Sequence, residues 1–205
     1  MYIPNYYQIN DYQEIKSFIE KNNFAVIVST DNGCPIATHI PVMITEKDND
    51  LYISGHFARG NQQWGTIDDN DNILVIFQGA HSYISSTWYH QEDVPTWNYQ
   101  SVHIYGKGKT LNEDELEADL EQLLDKYEKY RENGATWDNM SDKTKKQIKG
   151  IVGFKIKATK ILAAYKLSQK RSESEKNNII NELSNSNELS DKKLAEEMKR
   201  VIRND

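Results

Sequence analysis

The fold is decided by the stretch Leu51 to Tyr105, which contains LYISGHFARGNQQW at residues 51–64, ILVIFQG at 73–79, AHSYISSTWY at 80–89 and VPTWNYQSVHIY at 94–105. Leu51 and Ile53 alternate with Tyr52 and Ser54, which predicts a strand. The strand passes into a short helical segment that carries Arg59. Such an arrangement brings backbone N–H groups and an arginine to a point where an anion can bind.

The same stretch is rich in aromatic residues, which are Phe77, Tyr83, Trp88, Tyr89, Trp97, Tyr99 and Tyr105. A phosphate-binding turn beside aromatic walls fits a flat, phosphorylated cofactor. Two simpler interpretations stay open. Aromatic side chains on strands often fill a core or a dimer interface, and the turn could be a surface turn with an ordinary arginine.

Working outward, further strands surround this stretch. FAVIVST at 24–30 is followed by the hairpin signal Asp31-Asn32-Gly33. CPIATHIPVMI at 34–44 returns as a second strand, which Pro35 and Pro41 restrict to an edge or bulged role. Six or more strands at hairpin spacing predict a small antiparallel β-barrel. Because such a barrel is filled by its own side chains, a ligand is expected outside it, against a second subunit, and the chain is expected to form a homodimer.

Three capping patterns predict helices. Asn10 with Gln13, Asn112 with Glu115 and Ser172 with Glu175 each match a capping box at a helix start. The predicted organisation is therefore a barrel domain over residues 1–171, with inserted helices at about 112–149, and a helical tail over 172–205. The tail is expected to pack on the barrel or on a partner subunit.

Composition excludes several classes of protein. The net charge of −6 argues against nucleic-acid binding through bulk electrostatics, and no apolar run approaches the roughly 20 residues that span a bilayer. The N-terminus has no signal-peptide pattern, so a cytoplasmic location is expected. Cys34 is the single cysteine, which excludes an internal disulfide.

Motifs for catalysis are missing from the sequence. The five histidines show no ligand spacing, so no metal site is predicted. No nucleophile elbow, phosphate-binding loop or dinucleotide fingerprint occurs. No catalytic residue is assigned, and the sequence favours a protein that is not an enzyme.

Four ordered motifs, GHFARGNQQW, QGAHSYISSTWY, VPTWNY and KLSQKR, resemble those of the PaiB-like proteins. These proteins are a branch of the FMN-binding split-barrel group related to pyridoxamine-phosphate oxidases. The opening MYIPNYY and the ATHIP strand also match, so the resemblance extends from Met1 to about Arg171.

The resemblance implies a mainly β fold with appended helices, a six-stranded antiparallel split barrel that dimerises with two FMN sites at the interface. By position, the FMN phosphate would be held by Arg59, Ser54, His56 and Asn61. The remaining cofactor-binding positions that the resemblance implies are Thr38 and His39 beside the flavin ring, Tyr83 and Trp88 at its side, Trp97 and Asn98 at the interface or pocket, and Lys166, Ser168, Gln169 and Arg171 in the C-terminal segment.

The resemblance also implies a function, because PaiB-like proteins are described as negative transcriptional regulators of sporulation and of degradative-enzyme synthesis. DNA as a partner rests on this resemblance alone, since no helix-turn-helix pattern is seen. Two alternatives remain. One is an FMN-dependent oxidoreductase of the pyridoxamine-phosphate-oxidase-like group, and the other is a cofactor-free interaction module.

Overall fold

A computed structural model of the protein describes residues 1–68 and 70–202. In that part of the chain, seven strands form one sheet in the order β2-β1-β5-β6-β7-β4-β3. The strands are β1 (Phe24–Asp31), β2 (Cys34–Pro41), β3 (Met43–Lys47), β4 (Asp50–Ala58), β5 (Ile73–Ile84), β6 (Thr96–Thr110) and β7 (Ile151–Lys166). The mainly β class expected from the sequence is confirmed.

Two tight hairpins set the register of the sheet edges. Asp31 of β1 pairs with Cys34 of β2 across a turn in which Asn32 and Gly33 have φ values of 48° and 80°. The hairpin between β3 and β4 likewise turns through Asp48 and Asn49, with φ values of 54° and 66°. Asparagine, aspartate and glycine tolerate this left-handed region, so the turn signal after β1 is confirmed.

The expected number of six strands is wrong, because the predicted strand at 34–44 divides at Val42. Pro41 has no N–H group to continue a ladder. The Val42 side chain is fully buried, and its N–H donates to the Asn23 carbonyl at 2.8 Å. The chain then leaves β1, and β3 pairs with β4 instead.

Five α-helices lie in the described part of the chain: α1 (Tyr12–Lys21), α2 (Glu113–Glu128), α3 (Asp142–Lys145), α4 (Glu173–Asn185) and α5 (Leu189–Ile202). Both side chains of the capping boxes at Asn112 and Ser172 make the predicted contacts. The predicted cap at Asn10 is wrong. The Asp11 carboxylate accepts instead from the N–H groups of Gln13 and Glu14, at 2.8 and 3.1 Å.

The chain divides into two compact units. The first contains Met1–Phe18, Gln78–His103 and the described residues from Leu162 onward, and the second contains Ile19–Phe77 and Ile104–Ile161. Strands β5, β6 and β7 contribute residues to both. The division into a barrel at 1–171 and a tail at 172–205 stays a prediction, and residues 203–205 of that tail lie outside the described residues.

Each unit has its own apolar core. In the second unit the core consists of inward-facing residues of the strands, and the rings of Phe57 and Phe154 lie 4.9 Å apart. In the first unit, α4 and α5 bury Leu183, Leu194 and Met198 almost completely. Arg200 of α5 donates to both carboxylate oxygens of Glu14, at 2.6 and 2.9 Å. The tail helices therefore pack within this chain.

Candidate functional site

The predicted phosphate turn lies directly after β4. Arg59 Nε donates to the Lys149 carbonyl at 2.7 Å and Nη2 donates to the Ile151 carbonyl at 3.2 Å. A guanidinium has five N–H groups, so these bonds fix its plane and leave three donors. The side chain lines a cavity of about 410 Å³ together with Asn112, Glu113 and Leu116. These two carbonyl contacts fix the orientation of the guanidinium at the edge of the cavity.

Asn61 and Thr38 are brought together by a network in the second unit. Asn61 Nδ2 donates to Thr38 Oγ1 at 2.8 Å, and its Oδ1 accepts from the Gln63 N–H at 3.0 Å. Asn61 thus caps the 3-10 helix Gln62–Thr66, where the sequence predicted a longer helical segment. His39 is the next residue after Thr38 and points to the other face, where it is exposed, with its ring 6.1 Å from that of Phe24.

Gln63 is the centre of this network, and the sequence analysis missed it. Its side chain is only 3% exposed. Its Oε1 accepts from Thr38 Oγ1 at 2.5 Å, and its Nε2 donates to the Ile27 carbonyl and to Ser29 Oγ, both at 3.0 Å. The glutamine ties the turn to β1 and β2. A buried glutamine looks like any other glutamine in one sequence, so no signal identified it.

Ser54 and His56 share one face of β4, and a carboxylate lies beside them. The buried Ser54 hydroxyl donates to the carboxylate of Asp119 on α2. Burial raises the pKa of Asp119, an effect that the Ser54 hydrogen bond and nearby Lys155 oppose. Burial also lowers the pKa of His56, which the Asp119 charge opposes. The sequence analysis missed Asp119 because a helical aspartate is usually solvated.

The predicted ring-side residues lie in the first unit. Tyr83 and Trp97 are each about half exposed, at 48% and 49%, and their ring centroids are 6.4 Å apart. The His81 ring stacks on Trp97 at 5.9 Å. Trp88 lies in the 3-10 helix Ser86–Trp88, where its carbonyl accepts from Asn178 Nδ2 at 2.7 Å. Tyr83 and Trp97 therefore form an exposed aromatic pair, and Trp88 contacts the tail.

The C-terminal positions converge on a second cavity, also within the first unit. Its volume is about 360 Å³, and we name it the Lys166 cavity, lined by Tyr7, Tyr89, Asn98, Lys166, Ser168, Lys170 and Arg171 among others. Four predicted residues, Asn98, Lys166, Ser168 and Arg171, are thus brought together. Gln169 instead closes the turn after β7, because its Oε1 accepts from the Leu167 N–H at 2.8 Å and its Nε2 donates to the Tyr165 carbonyl.

Two classes of site are not seen among residues 1–68 and 70–202. No group of three or more histidine, cysteine, aspartate or glutamate side chains is arranged to hold a metal ion. No helix in this part of the chain combines the length and the apolar character that crossing a membrane requires.

Comparison with known proteins gives the family. A family model described as "Putative FMN-binding domain" matches residues 1–160. The chain is 50% identical over 199 residues to the protease synthase and sporulation protein PAI 2 of Bacillus subtilis (strain 168), which covers 97% of this chain and 96% of that protein. This identity extends through both units and the tail.

Two solved structures share the fold. The flavocytochrome Anf3 from Azotobacter vinelandii matches with a TM-score of 0.60 at 13% identity, over 80% of this chain and 72% of that one. The FAD and heme binding protein from Mycobacterium smegmatis matches with a TM-score of 0.57 at 13% identity, over 78% and 73%. The chain belongs to the PaiB-like family of the FMN-binding split-barrel group, as its four motifs predicted.

Proposed function

We propose that the chain is a cytoplasmic homodimer that binds FMN and acts as a negative transcriptional regulator. The observation that carries the flavin part is Arg59, whose guanidinium is held by two backbone carbonyls at the edge of a cavity of about 410 Å³. Arginine binds phosphate oxygens through paired N–H groups. Asn61 lies two residues further on and supports the same turn.

The hydrogen-bond donors of the predicted phosphate-binding residues are only partly available to a phosphate. Arg59 has N–H groups left for an anion, whereas the Ser54 hydroxyl donates to Asp119. We therefore assign the phosphate contact chiefly to Arg59, because the Asn61 amide also bonds within the protein, to Thr38 and to the Gln63 N–H, and His56 does not line the Arg59 cavity. The strand that carries Thr38 and His39 would run beside the ring, and a bound flavin would supply reversible electron transfer.

The dimer is proposed from the exposed aromatic pair. Tyr83 and Trp97 leave about half of their surfaces in solvent, and exposed tyrosine and tryptophan side chains are enriched at protein interfaces. A second copy of the chain would cover them and complete the flavin site. Size-exclusion chromatography with light scattering measures this directly, and a Trp97→Lys variant should be a monomer.

The regulatory part is proposed from PAI 2 of B. subtilis, the relative whose printed name refers to protease synthesis and sporulation. Lysines 143, 145, 146 and 149 of α3 and the following 3-10 helix are exposed or half exposed, and they would meet DNA phosphates. A gel-shift assay with promoter DNA should show binding that weakens steeply with salt. Sequence-independent or undetectable binding would contradict this part of the proposal.

A flavin titration tests the cofactor part. Arg59→Ala should weaken FMN binding roughly 10- to 100-fold, because a charge-assisted hydrogen bond contributes about 1.5–3 kcal/mol. Arg131→Ala is the matched control, since Arg131 is an exposed arginine just after α2 that contacts the Tyr127 carbonyl and the Glu128 carboxylate at the end of that helix. Equal FMN affinity in the two variants would refute the phosphate assignment.

An oxidoreductase is the second candidate, and the Lys166 cavity favours it, because a flavin enzyme needs a place for its substrate. Oxidation of reduced nicotinamide by the FMN-loaded protein would support this candidate. An absorption spectrum without a flavin band after FMN addition and dialysis would favour a cofactor-free interaction module.

A further inference from the structure

The Lys166 cavity contains a polar side chain that is fully buried and incompletely paired. Asn98 is 0% exposed. Its Nδ2 donates to Ser168 Oγ at 2.9 Å and contacts Met198 Sδ at 3.8 Å, but its Oδ1 has no hydrogen-bond partner. A buried acceptor without a donor destabilises the folded protein. Such a group indicates that a molecule entering the cavity supplies the donor.

Tyr89 brings an arginine to the same cavity. The Arg171 guanidinium lies 3.6 Å from the centre of the Tyr89 ring. Burial raises the pKa of the Tyr89 hydroxyl, an effect that the Arg171 charge and a hydrogen bond with Arg171 oppose. Asn98 Oδ1 remains a buried acceptor without a partner at this cavity, which is unusual because nearly all buried polar atoms in proteins are paired.

The charges around the cavity favour an anion. Arg171 is paired with Asp93 at 2.6 Å, and Glu175 lies 3.8 Å from it. Lys166 and Lys170 have no carboxylate partner in the described part of the chain. Lys166 Nζ donates to Thr96 Oγ1, and Lys170 Nζ lies 3.7 Å from the centre of the Tyr6 ring. Burial lowers the pKa of Lys166, and a bound anion would oppose this effect.

Spacing along β6 limits the size of the ligand. Thr96 and Asn98 are two residues apart on one face of the strand, which corresponds to about 7 Å. Lys166 Nζ donates to Thr96 Oγ1, so its ammonium lies beside Thr96, two residues along the strand from Asn98. A ligand that reaches both groups through hydrogen bonds of about 2.8 Å must be small. A carboxylate and a hydroxyl on neighbouring carbons meet this requirement.

We propose that the Lys166 cavity binds a small 2-hydroxycarboxylate. Its carboxylate pairs with the Lys166 ammonium, and its hydroxyl donates to Asn98 Oδ1. The inference rests on the proposed function, for which it names the class of substrate or effector of the flavin protein. Binding of this anion does not require Arg59, which belongs to the other unit.

Glycolate and acetate are the two probes, because they differ by the hydroxyl that Asn98 would accept. Nuclear magnetic resonance titrations of the full chain should show glycolate binding at least 10-fold more tightly than acetate, with shifts at residues 96–98 and 166–171. Lys166→Met should weaken glycolate binding at least 10-fold. Lys160→Met is the control, since Lys160 is exposed on the same strand, and it should bind like the parent.

If the parent chain bound glycolate and acetate with equal affinity, the inference would be overturned. Resonance shifts confined to residues outside 96–98 and 166–171 would overturn it as well. Neither result depends on a variant. The titrations are repeated with and without FMN and with Arg59→Ala. Absence of FMN binding by the parent chain, with glycolate binding retained, would refute the proposed flavin function alone, whereas weaker FMN binding by Arg59→Ala with unchanged glycolate binding is the expected result. Retained FMN binding with no preference for glycolate would refute the 2-hydroxycarboxylate alone.

Discussion

Ser54 of β4 and Asp119 of α2 form a buried hydrogen bond in which the serine hydroxyl donates to the carboxylate. The two residues are 65 positions apart in the sequence. The bond attaches the helix to the strand that leads into the Arg59 turn. It also places a carboxylate beside the residues expected to bind a phosphate, so ionisation of Asp119 opposes anion binding there.

Asp119→Asn should stabilise the protein at neutral pH. Because burial raises the pKa of Asp119 in the folded state, this group contributes stability that is fully present below its unfolded pKa of about 3.9 and is lost as pH rises through the folded pKa. Asparagine keeps the acceptor for Ser54 and carries no charge.

The gain of Asp119→Asn in free energy of unfolding should therefore be near zero below about pH 3.9 and grow as pH rises. Urea titrations across pH measure it. The control is Asp125→Asn, at an exposed aspartate of the same helix, which should change stability by no more than about 0.5 kcal/mol. A loss of stability in Asp119→Asn at neutral pH would contradict this account.

Gln63→Ala should destabilise the second unit by about 3 kcal/mol, because it leaves the Ile27 carbonyl and Ser29 without their donor and opens a small cavity. Gln62→Ala is a matched control, since Gln62 is the adjacent glutamine and is exposed. Urea denaturation followed by tryptophan fluorescence measures both. Equal midpoints for the two variants would show that the network does not hold the turn.

Local patterns were sufficient to predict the elements whose signals lie within a few residues. The capping boxes at Asn112 and Ser172 and the turn after Asp31 depend only on neighbouring side chains, and all three are confirmed. The division at Val42 was not predicted, because it depends on Asn23, which is 19 residues away. The six strands that the resemblance implied become seven because β3 pairs with β4 after this division.

Prediction of the candidate site is limited in the same way, because its residues are far apart in the sequence. Four positions of the Lys166 cavity were named from motif order, yet their convergence depends on the pairing of β6 with β7. Asp119 and Gln63 were given no role. Their importance comes from burial beside Ser54 and Thr38, which no residue near them in the sequence indicates.

The tail helices should contribute to the stability of the first unit. Leu194 of α5 is fully buried, and truncation of a buried leucine costs about 2–5 kcal/mol. Leu194→Ala is therefore expected to lower the free energy of unfolding by that amount, as measured in urea. The adjacent exposed Lys193 provides the control, and Lys193→Ala should remain within about 0.5 kcal/mol of the parent. If Leu194→Ala left the free energy of unfolding unchanged, α5 would not be part of the folded unit.

Gly106 of β6 should not tolerate a side chain. A Cβ at this position would collide with the Lys157 carbonyl and with Ile156 Cγ2. Because the carbonyl belongs to the backbone of β7, it cannot rotate away, and Gly106→Ala is expected to cost about 3 kcal/mol. At Gly65 a Cβ would meet nothing within 4 Å. Gly65→Ala should therefore be neutral or stabilising by up to about 1 kcal/mol, since alanine restricts the unfolded chain. Thermal melting measures the midpoints of both variants. Similar midpoints for Gly106→Ala and Gly65→Ala would show that β6 and β7 are further apart at Gly106 than in the structure.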